Sequence, residues 1–142
     1  MTLLEKMKKG ELYDCSFEAI PKELDKKLYE CKELIHDFNM SRPSEVEFRE
    51  SLIRKVFAEV GENCYIEPPF HANWGCNMHV GKNFYSNFNL TVVDDADIYI
   101  GDSVMIAPNV TIATGTHPIC PELREKVYQY NLPIHIGNRV WI

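Results

Sequence analysis

His117 stands in the run Gly115-Thr116-His117-Pro118. An imidazole titrates near neutral pH and can take the proton from a hydroxyl. Pro118 fixes its own φ and biases the residue before it toward extended backbone, which helps hold that ring. A solvated loop histidine would look the same, so position alone leaves both readings open. Upstream, Asp94-Asp95 close the run Leu90-Thr91-Val92-Val93, and Asn87 and Asn89 flank Phe88. Carboxylates can orient a polyhydroxyl ligand, and an amide can donate to a developing oxyanion. Asparagine is also an ordinary corner residue because it tolerates left-handed backbone, and paired aspartates are often only solvated. The crowding of these residues within one or two repeats of His117 brings the chemical reading level with the structural one. Tyr85, Trp74 and Trp141 fit a cleft lining or a subunit contact equally well. His36 and His135 read as surface residues, and His71 and His79 with Cys64 and Cys76 match no zinc spacing.

What must position these side chains is a period of six. Ile100, Ile106 and Ile112 recur at that interval, and Val104 and Val110 follow the first two by four. Neither the 3.6 of a helix nor the alternation of one strand gives six. A chain that runs straight, turns a corner and repeats does: a hexapeptide β-helix, about 18 residues to a three-sided coil. One aliphatic side chain per side points inward, and the small residue after it (Gly101, Ala107) eases the corner. Ile136-Gly137 and Ile142 lie 24 and 30 residues after Ile112 and so return in phase, which makes residues 114–133 a loop thrown out from one corner. Val60-Gly61, Ile66-Glu67 and Val80-Gly81 start earlier repeats in a shifted phase, as small corner insertions would produce. The run stops mid-repeat at Val140-Trp141-Ile142 with no polar cap, as in a chain cut short or one whose end a partner covers.

Residues 1–59 have a helical period instead. Thr2 and Glu5 are spaced as a capping box before Leu3, Leu4 and Met7, with Gly10 as the stop. Glu11–Asp14 read as a loop. Pro21 opens a second helix with Leu24, Leu28, Cys31, Ile35 and Phe38 on one face. Ser44 and Glu47 form another capping box, ahead of a helix striped by Leu52, Ile53, Val56 and Phe57 and ended by Gly61. These faces are too narrow to form a core alone, so the helices should dock as a cap on the β-helix of residues 60–142.

The net charge of −6 argues against a nucleic-acid partner. No apolar run approaches the ~20 residues of a membrane span, and the N-terminus lacks a signal-peptide core, which makes the cytoplasm the default. Five cysteines without a CxxC pair read as small buried hydrophobes in a reducing compartment.

The segments VGENCYIEPPF, NFYSNFNLTVVDDADIYIGDSVMIAPNVTIATGTHP and LPIHIGNRVWI resemble the galactoside and maltose O-acetyltransferases of the hexapeptide acyltransferase superfamily. GELYD and SRPSEVEFRESLIRKVF resemble the helical cap of those enzymes, so the likeness covers essentially the whole chain. It implies a mainly β fold, a left-handed parallel β-helix with an N-terminal helical cap, assembled as a homotrimer with active sites between subunits. It also implies acetyl transfer from acetyl-CoA to a sugar hydroxyl, with no metal and no covalent acyl-enzyme. His117 matches the family's catalytic histidine, and Asn87 the asparagine of acceptor binding and transition-state stabilisation. Asp14 and Asp95 match aspartates that hold the sugar, and Asn73 falls where the family has a further acceptor-site polar residue. Tyr85 and Trp141 match aromatics near the acetyl-pantetheine arm. Family members continue for several coils past the equivalent of Val140-Trp141-Ile142, and those coils supply most CoA contacts. Two other readings follow from the residues: a truncated β-helix that binds sugar but holds no acetyl-CoA, and a metal-dependent hydratase of the carbonic-anhydrase type on the same β-helix, with His71, His79 and His117 as ligands across a trimer interface.

Overall fold

The computed structural model describes residues 1–142. Three helices come first: α1 (Leu3–Lys9), α2 (Lys22–Met40) and α3 (Val46–Val56), with a short strand β1 (Tyr13–Asp14) between α1 and α2. In α1 the Thr2 hydroxyl accepts from the Glu5 N–H while the Glu5 carboxylate accepts from the Thr2 N–H, and Gly10 closes the helix at φ 72°. At α3 the cap differs from the sequence expectation. Glu45, not Ser44, precedes the first turn, and its carboxylate turns back to accept from the Arg42 N–H. That helix ends at Val56 with Phe57 in extended backbone, four residues before Gly61.

The β-helix then winds through β2 (Glu59–Val60), β3 (Tyr65–Ile66), β4 (Phe70–Ala72), β5 (Met78–Val80), β6 (Tyr85–Ser86), β7 (Leu90–Val93), β8 (Ile98–Ile100), β9 (Met105–Ile106) and β10 (Thr111–Ala113). An excursion follows, made of β11 (Gly115–Thr116), α4 (Pro121–Glu125) and β12 (Tyr128–Asn131), and β13 (Ile134–Ile136) resumes the coil. All pairing within the coil is parallel and forms three faces: β2-β5-β8-β13, β3-β6-β9 and β4-β7-β10. The result is the left-handed β-helix of the hexapeptide-repeat proteins. Inward residues stack in columns: Val60, Val80, Ile100 and Ile136 on the first face, Ile66, Ser86 and Ile106 on the second, Ala72, Val92 and Ile112 on the third. Val60, Val80 and Ile100 are 20 residues apart, not 18. The surplus sits at the corner from the third face to the first, which explains the shifted phase of the early repeats. The excursion leaves from that same corner.

The glycines after Val60, Val80 and Ile100 serve coil-to-coil spacing rather than the turn itself. A Cβ on Gly81 would overlap Asp102 Oδ1 and stand 2.8 Å from the Gly101 carbonyl carbon. The left-handed backbone at the same corner belongs instead to Asn63, Asn83, Ser103 and Arg139.

The helices seal the first coil. The Asn39 side chain accepts from the Phe70 N–H and donates to the Phe70 carbonyl, both at 2.8 Å, standing in for a neighbouring strand. Arg54 donates to the Val60 and Gly61 carbonyls. Ile35, Phe38, Leu52, Ile53, Val56 and Phe57 merge with the coil interior in one core, with Phe57 edge-on to Phe70 at 5.5 Å. No helix is long and apolar enough to cross a membrane.

Two expectations fail locally. Tyr13–Asp14 form a strand rather than a loop, pairing antiparallel with β12, which pairs antiparallel with β11. The excursion is therefore an ordered hairpin bound to the cap, with Cys15 N also donating to the Val127 carbonyl.

Candidate functional site

His117 follows β11 directly and is exposed. Its Nδ1 lies 2.8 Å from the Tyr128 carbonyl oxygen. A carbonyl only accepts, so the neutral ring carries its proton on Nδ1 and leaves Nε2 as a bare lone pair. The strand register sets Asp14 opposite Tyr128, so Asp14 and His117 meet around that one residue. The Asp14 carboxylate accepts from the Ser16 N–H at 2.8 Å, and that hydrogen bond, with the Ser16 hydroxyl, holds it below the usual carboxylate range.

Strand alternation sends the neighbours of Asp14 and Tyr128 to the other face of the hairpin. There Tyr13, Gln129 and Asn131 meet the coil corner. Asp95 is buried against them: its Oδ1 accepts from Trp74 Nε1 at 3.0 Å and Asn73 Nδ2 at 3.1 Å, its Oδ2 from Gln129 Nε2 at 2.6 Å. Asn131, fully buried, donates to the Asp95 and Met7 carbonyls and shares a hydrogen bond with the Tyr13 hydroxyl. Burial pushes the Tyr13 hydroxyl far above its ordinary pKa, so it stays a phenol. Asp94, its side chain turned the other way, accepts from the Trp74 and Asn77 N–H groups. Burial raises its pKa to about 7, and it serves as a clamp for the coil below.

Asn73 and Asp95 thus meet at one corner, and Asp14 and His117 are carried by the hairpin that closes over it. Asn87, Tyr85 and Trp141 do not join them. Asn87 sits at the corner between the second and third faces, where its Oδ1 accepts from the Phe88 N–H and its Nδ2 is left without a partner in the chain. Tyr85 lies outward on the second face, stacked on Tyr65 at 6.4 Å, and Met105 and Trp141 continue that column. Met105 and Trp141 are 53 and 80% exposed.

Metal ligands do not converge within the chain. His79 faces Glu59 at 3.2 Å through Nδ1 and Asp97 at 3.0 Å through Nε2, while His71 lies on the third face and His117 on the hairpin. His135 is exposed, as expected, and stacks on Tyr99 at 4.8 Å. All five cysteines are free, but only Cys31 is buried as expected; Cys15, Cys64 and Cys76 are half-buried and Cys120 is exposed.

Sequence reasoning missed Tyr13, Tyr128, Gln129 and Asn131. The alternation Tyr128-Gln129-Tyr130-Asn131, aromatic then amide, was the available signal for a strand with two distinct faces.

Residues 6–61 match the family model described as the maltose acetyltransferase hexapeptide capping motif. The galactoside O-acetyltransferase of Escherichia coli (strain K12) is 49% identical over 142 residues, all of this chain and 68% of that protein. A solved structure of galactoside acetyltransferase in complex with coenzyme A superposes with a TM-score of 0.93 at 48% identity, covering 99% of this chain and 68% of that one. The maltose O-acetyltransferase of Clostridium difficile 630 also gives 0.93, at 40% identity over 99% of this chain and 73% of its own. A cap motif, a coil and a histidine-bearing hairpin that all superpose on such enzymes leave one assignment: the chain belongs to the galactoside and maltose O-acetyltransferase family of hexapeptide-repeat proteins.

Proposed function

We propose that the chain acetylates a hydroxyl of a neutral sugar, of the galactoside, maltose or glucose kind, with acetyl-CoA as donor. The observation that carries this is the His117 ring, fixed through Nδ1–H on the Tyr128 carbonyl with Nε2 unengaged. Nε2 takes the proton of the sugar hydroxyl as its oxygen attacks the thioester carbonyl. The tetrahedral oxyanion collapses, the C–S bond breaks, and the departing thiolate recovers the proton from the imidazolium. Asn87 Nδ2, the unpartnered donor, stabilises the oxyanion, a contribution of a few kcal/mol. Asp14, Asn73 and Asp95 orient the acceptor, and Tyr85 and Trp141 flank the acetyl-pantetheine arm. Residues 1–59 act as the cap that roofs the acceptor, and residues 60–142 as the β-helix that carries the base.

His117 and Asn87 occupy different corners of one chain, so the reading requires a second copy to bring them together, in a homotrimer. The outward column Tyr65, Tyr85, Met105 and Trp141 supports such a contact. Five unpaired cysteines support a cytoplasmic setting.

Co-expression of His117→Ala and Asn87→Ala chains tests the shared site. Each variant alone should be nearly inactive. Random mixed trimers should recover about one quarter of parental activity, because a site draws each residue from a different chain. No recovery beyond the single variants would place both residues in one chain's site and overturn the arrangement.

A further inference from the structure

Two of the five cysteines face each other across the joint between cap and coil. Cys31 lies on the inward face of α2, with Leu28 one turn before it and Ile35 one turn after. Leu28 and Cys76 pack against the same buried cluster of Met7, Tyr13 and Trp74. Ile35 Cδ1 stands 3.8 Å from where a Cβ on Gly75 would lie, and Val56 Cγ1 would overlap that Cβ. The helices therefore rest directly on residues 74–76, and the turn of α2 that carries Cys31 looks onto them. There the Cys31 thiol and the Cys76 sulfur share a side-chain hydrogen bond.

The two sulfurs are unequal. Cys31 is buried and keeps its proton, because the hydrogen bond to Cys76 and then burial both push its thiol up. Cys76 is half-buried, and that hydrogen bond, helped by the Lys27 ammonium one turn before Cys31, draws its thiol below the ordinary value. The other three thiols donate to oxygen instead: Cys15 to the Val127 carbonyl, Cys64 to the Gly81 carbonyl, Cys120 to the Glu122 carboxylate. Cys76 also borders a cavity of about 110 Å³ that the exposed Leu4, Lys8 and Lys27 help to line. That is ample for a water-sized molecule. A small neutral oxidant can thus reach a thiolate with a second thiol already in contact.

We propose that Cys76 and Cys31 form a peroxide-reactive dithiol that closes into a disulfide and pins α2 to the first coil. The Cys76 thiolate attacks one oxygen of hydrogen peroxide, the O–O bond breaks, hydroxide leaves, and Cys76 becomes a sulfenic acid. The Cys31 sulfur then attacks the Cys76 sulfur. The S–S bond forms, the S–O bond breaks, and the departing oxygen leaves as water with the Cys31 proton. The two cysteines lose two electrons, and the peroxide gains them. A bridge made only on oxidation is the transient kind that a reducing compartment permits.

The test exposes the reduced full chain to hydrogen peroxide at neutral pH, alkylates the remaining thiols, and maps the peptides by mass spectrometry. The expected product is a peptide pair joined through Cys31 and Cys76, reversed by dithiothreitol, formed while Cys15, Cys64 and Cys120 are still alkylated. Cys31→Ser keeps an O–H donor to Cys76 but has no resolving sulfur, so dimedone should trap a sulfenic acid at Cys76. Cys76→Ser should give neither product. The bridge should raise the unfolding midpoint of the parent by roughly 5–10 °C, a rise that both variants lack. The parent's peptide map needs no substitution, so it decides the pairing even if a variant folds poorly. Cys120 oxidised ahead of Cys76, or Cys31 and Cys76 both recovered alkylated after peroxide, overturns the dithiol. A bridge that leaves the midpoint unmoved overturns the pinning of α2.

Discussion

Two corners of the coil solve the same geometric problem differently. From the first face to the second, every coil repeats one solution: a glycine, then two residues on, Asn63, Asn83, Ser103 or Arg139 at φ 56, 56, 57 and 56°. From the third face to the first, no two coils agree. The first carries Asn73 and Trp74, the second Asp94 and Asp95, the third the hairpin with His117. Stacking demands identical backbone wherever one coil rests on another, so a corner that departs from the repeat has been released from that demand or has compensated for it. The hydrogen bonds of Asp94 and Asp95 are the compensation here. The invariant corner holds the stack together, and under the proposed function the variable one carries the base and the acceptor carboxylate, with Asn87 at the third corner.

That division is broken most sharply at His117. His117→Ala should lower the acetylation rate by about 10²–10⁴, with an unfolding midpoint within a degree or two of the parent. The ring is exposed and makes one hydrogen bond, so its removal touches no packing. A rate loss under tenfold would remove His117 from the role of base. At the invariant corner the signs reverse. Gly81→Ala puts a methyl onto the Gly101 backbone, which cannot yield without opening the stack. The expected cost is about 2–4 kcal/mol, a midpoint lowered by roughly 5–10 °C, with unchanged KM values for whatever fraction stays folded.

Much of the coil was legible because inward aliphatics must stack in columns. Ile100, Ile106 and Ile112 gave the period, and Ile136 showed that the hairpin costs no phase. The coil length was not legible, because the two surplus residues hide in a polar corner that resembles any turn. β6 escaped notice because Ser86 stands where its column calls for an aliphatic. β1 could not be read locally at all: Tyr13 pairs with Gln129, and nothing in Glu11–Asp14 announces so distant a partner. The Ser44 capping box had the right spacing, but Glu45 took the cap position and turned to the Arg42 N–H instead. For the site, residue types near His117 pointed to Asn87 and to Asp94-Asp95, Asn73 and Asp14 entered only through the family resemblance, and Gln129 and Asn131 required the hairpin to be folded first.

Asp94 sharpens the comparison at an intermediate level. Its native pKa of about 7 lies above the unfolded value of 3.8, so the native state binds its proton more tightly. The stability this contributes is complete below about pH 4 and is lost as pH rises through 7. Between pH 5 and 8 the parent should lose roughly 3 kcal/mol from this group, read by urea unfolding at the two pH values. Asp94→Asn keeps an acceptor for the Trp74 N–H and has no proton to lose, so its stability should be flatter over that window. Equal slopes for parent and variant would show that Asp94 is not the titrating clamp of this corner.

The smallest effect separates backbone from side chain at the invariant corner. Asn83 sits at φ 56° and its Oδ1 accepts from Asn63 Nδ2 at 3.0 Å. Either feature could be why asparagine is there. One coil on, Ser103 holds the same φ without a rung of that ladder, so the backbone angle is the common requirement. Asn83→Ala should therefore cost about 1 kcal/mol, the penalty for a Cβ in left-handed backbone. Asn83→Gly loses the same exposed hydrogen bond but none of the conformational fit, and should stay within about 0.5 kcal/mol of the parent. Were both variants equally destabilised, the asparagine ladder rather than the turn would be holding this corner.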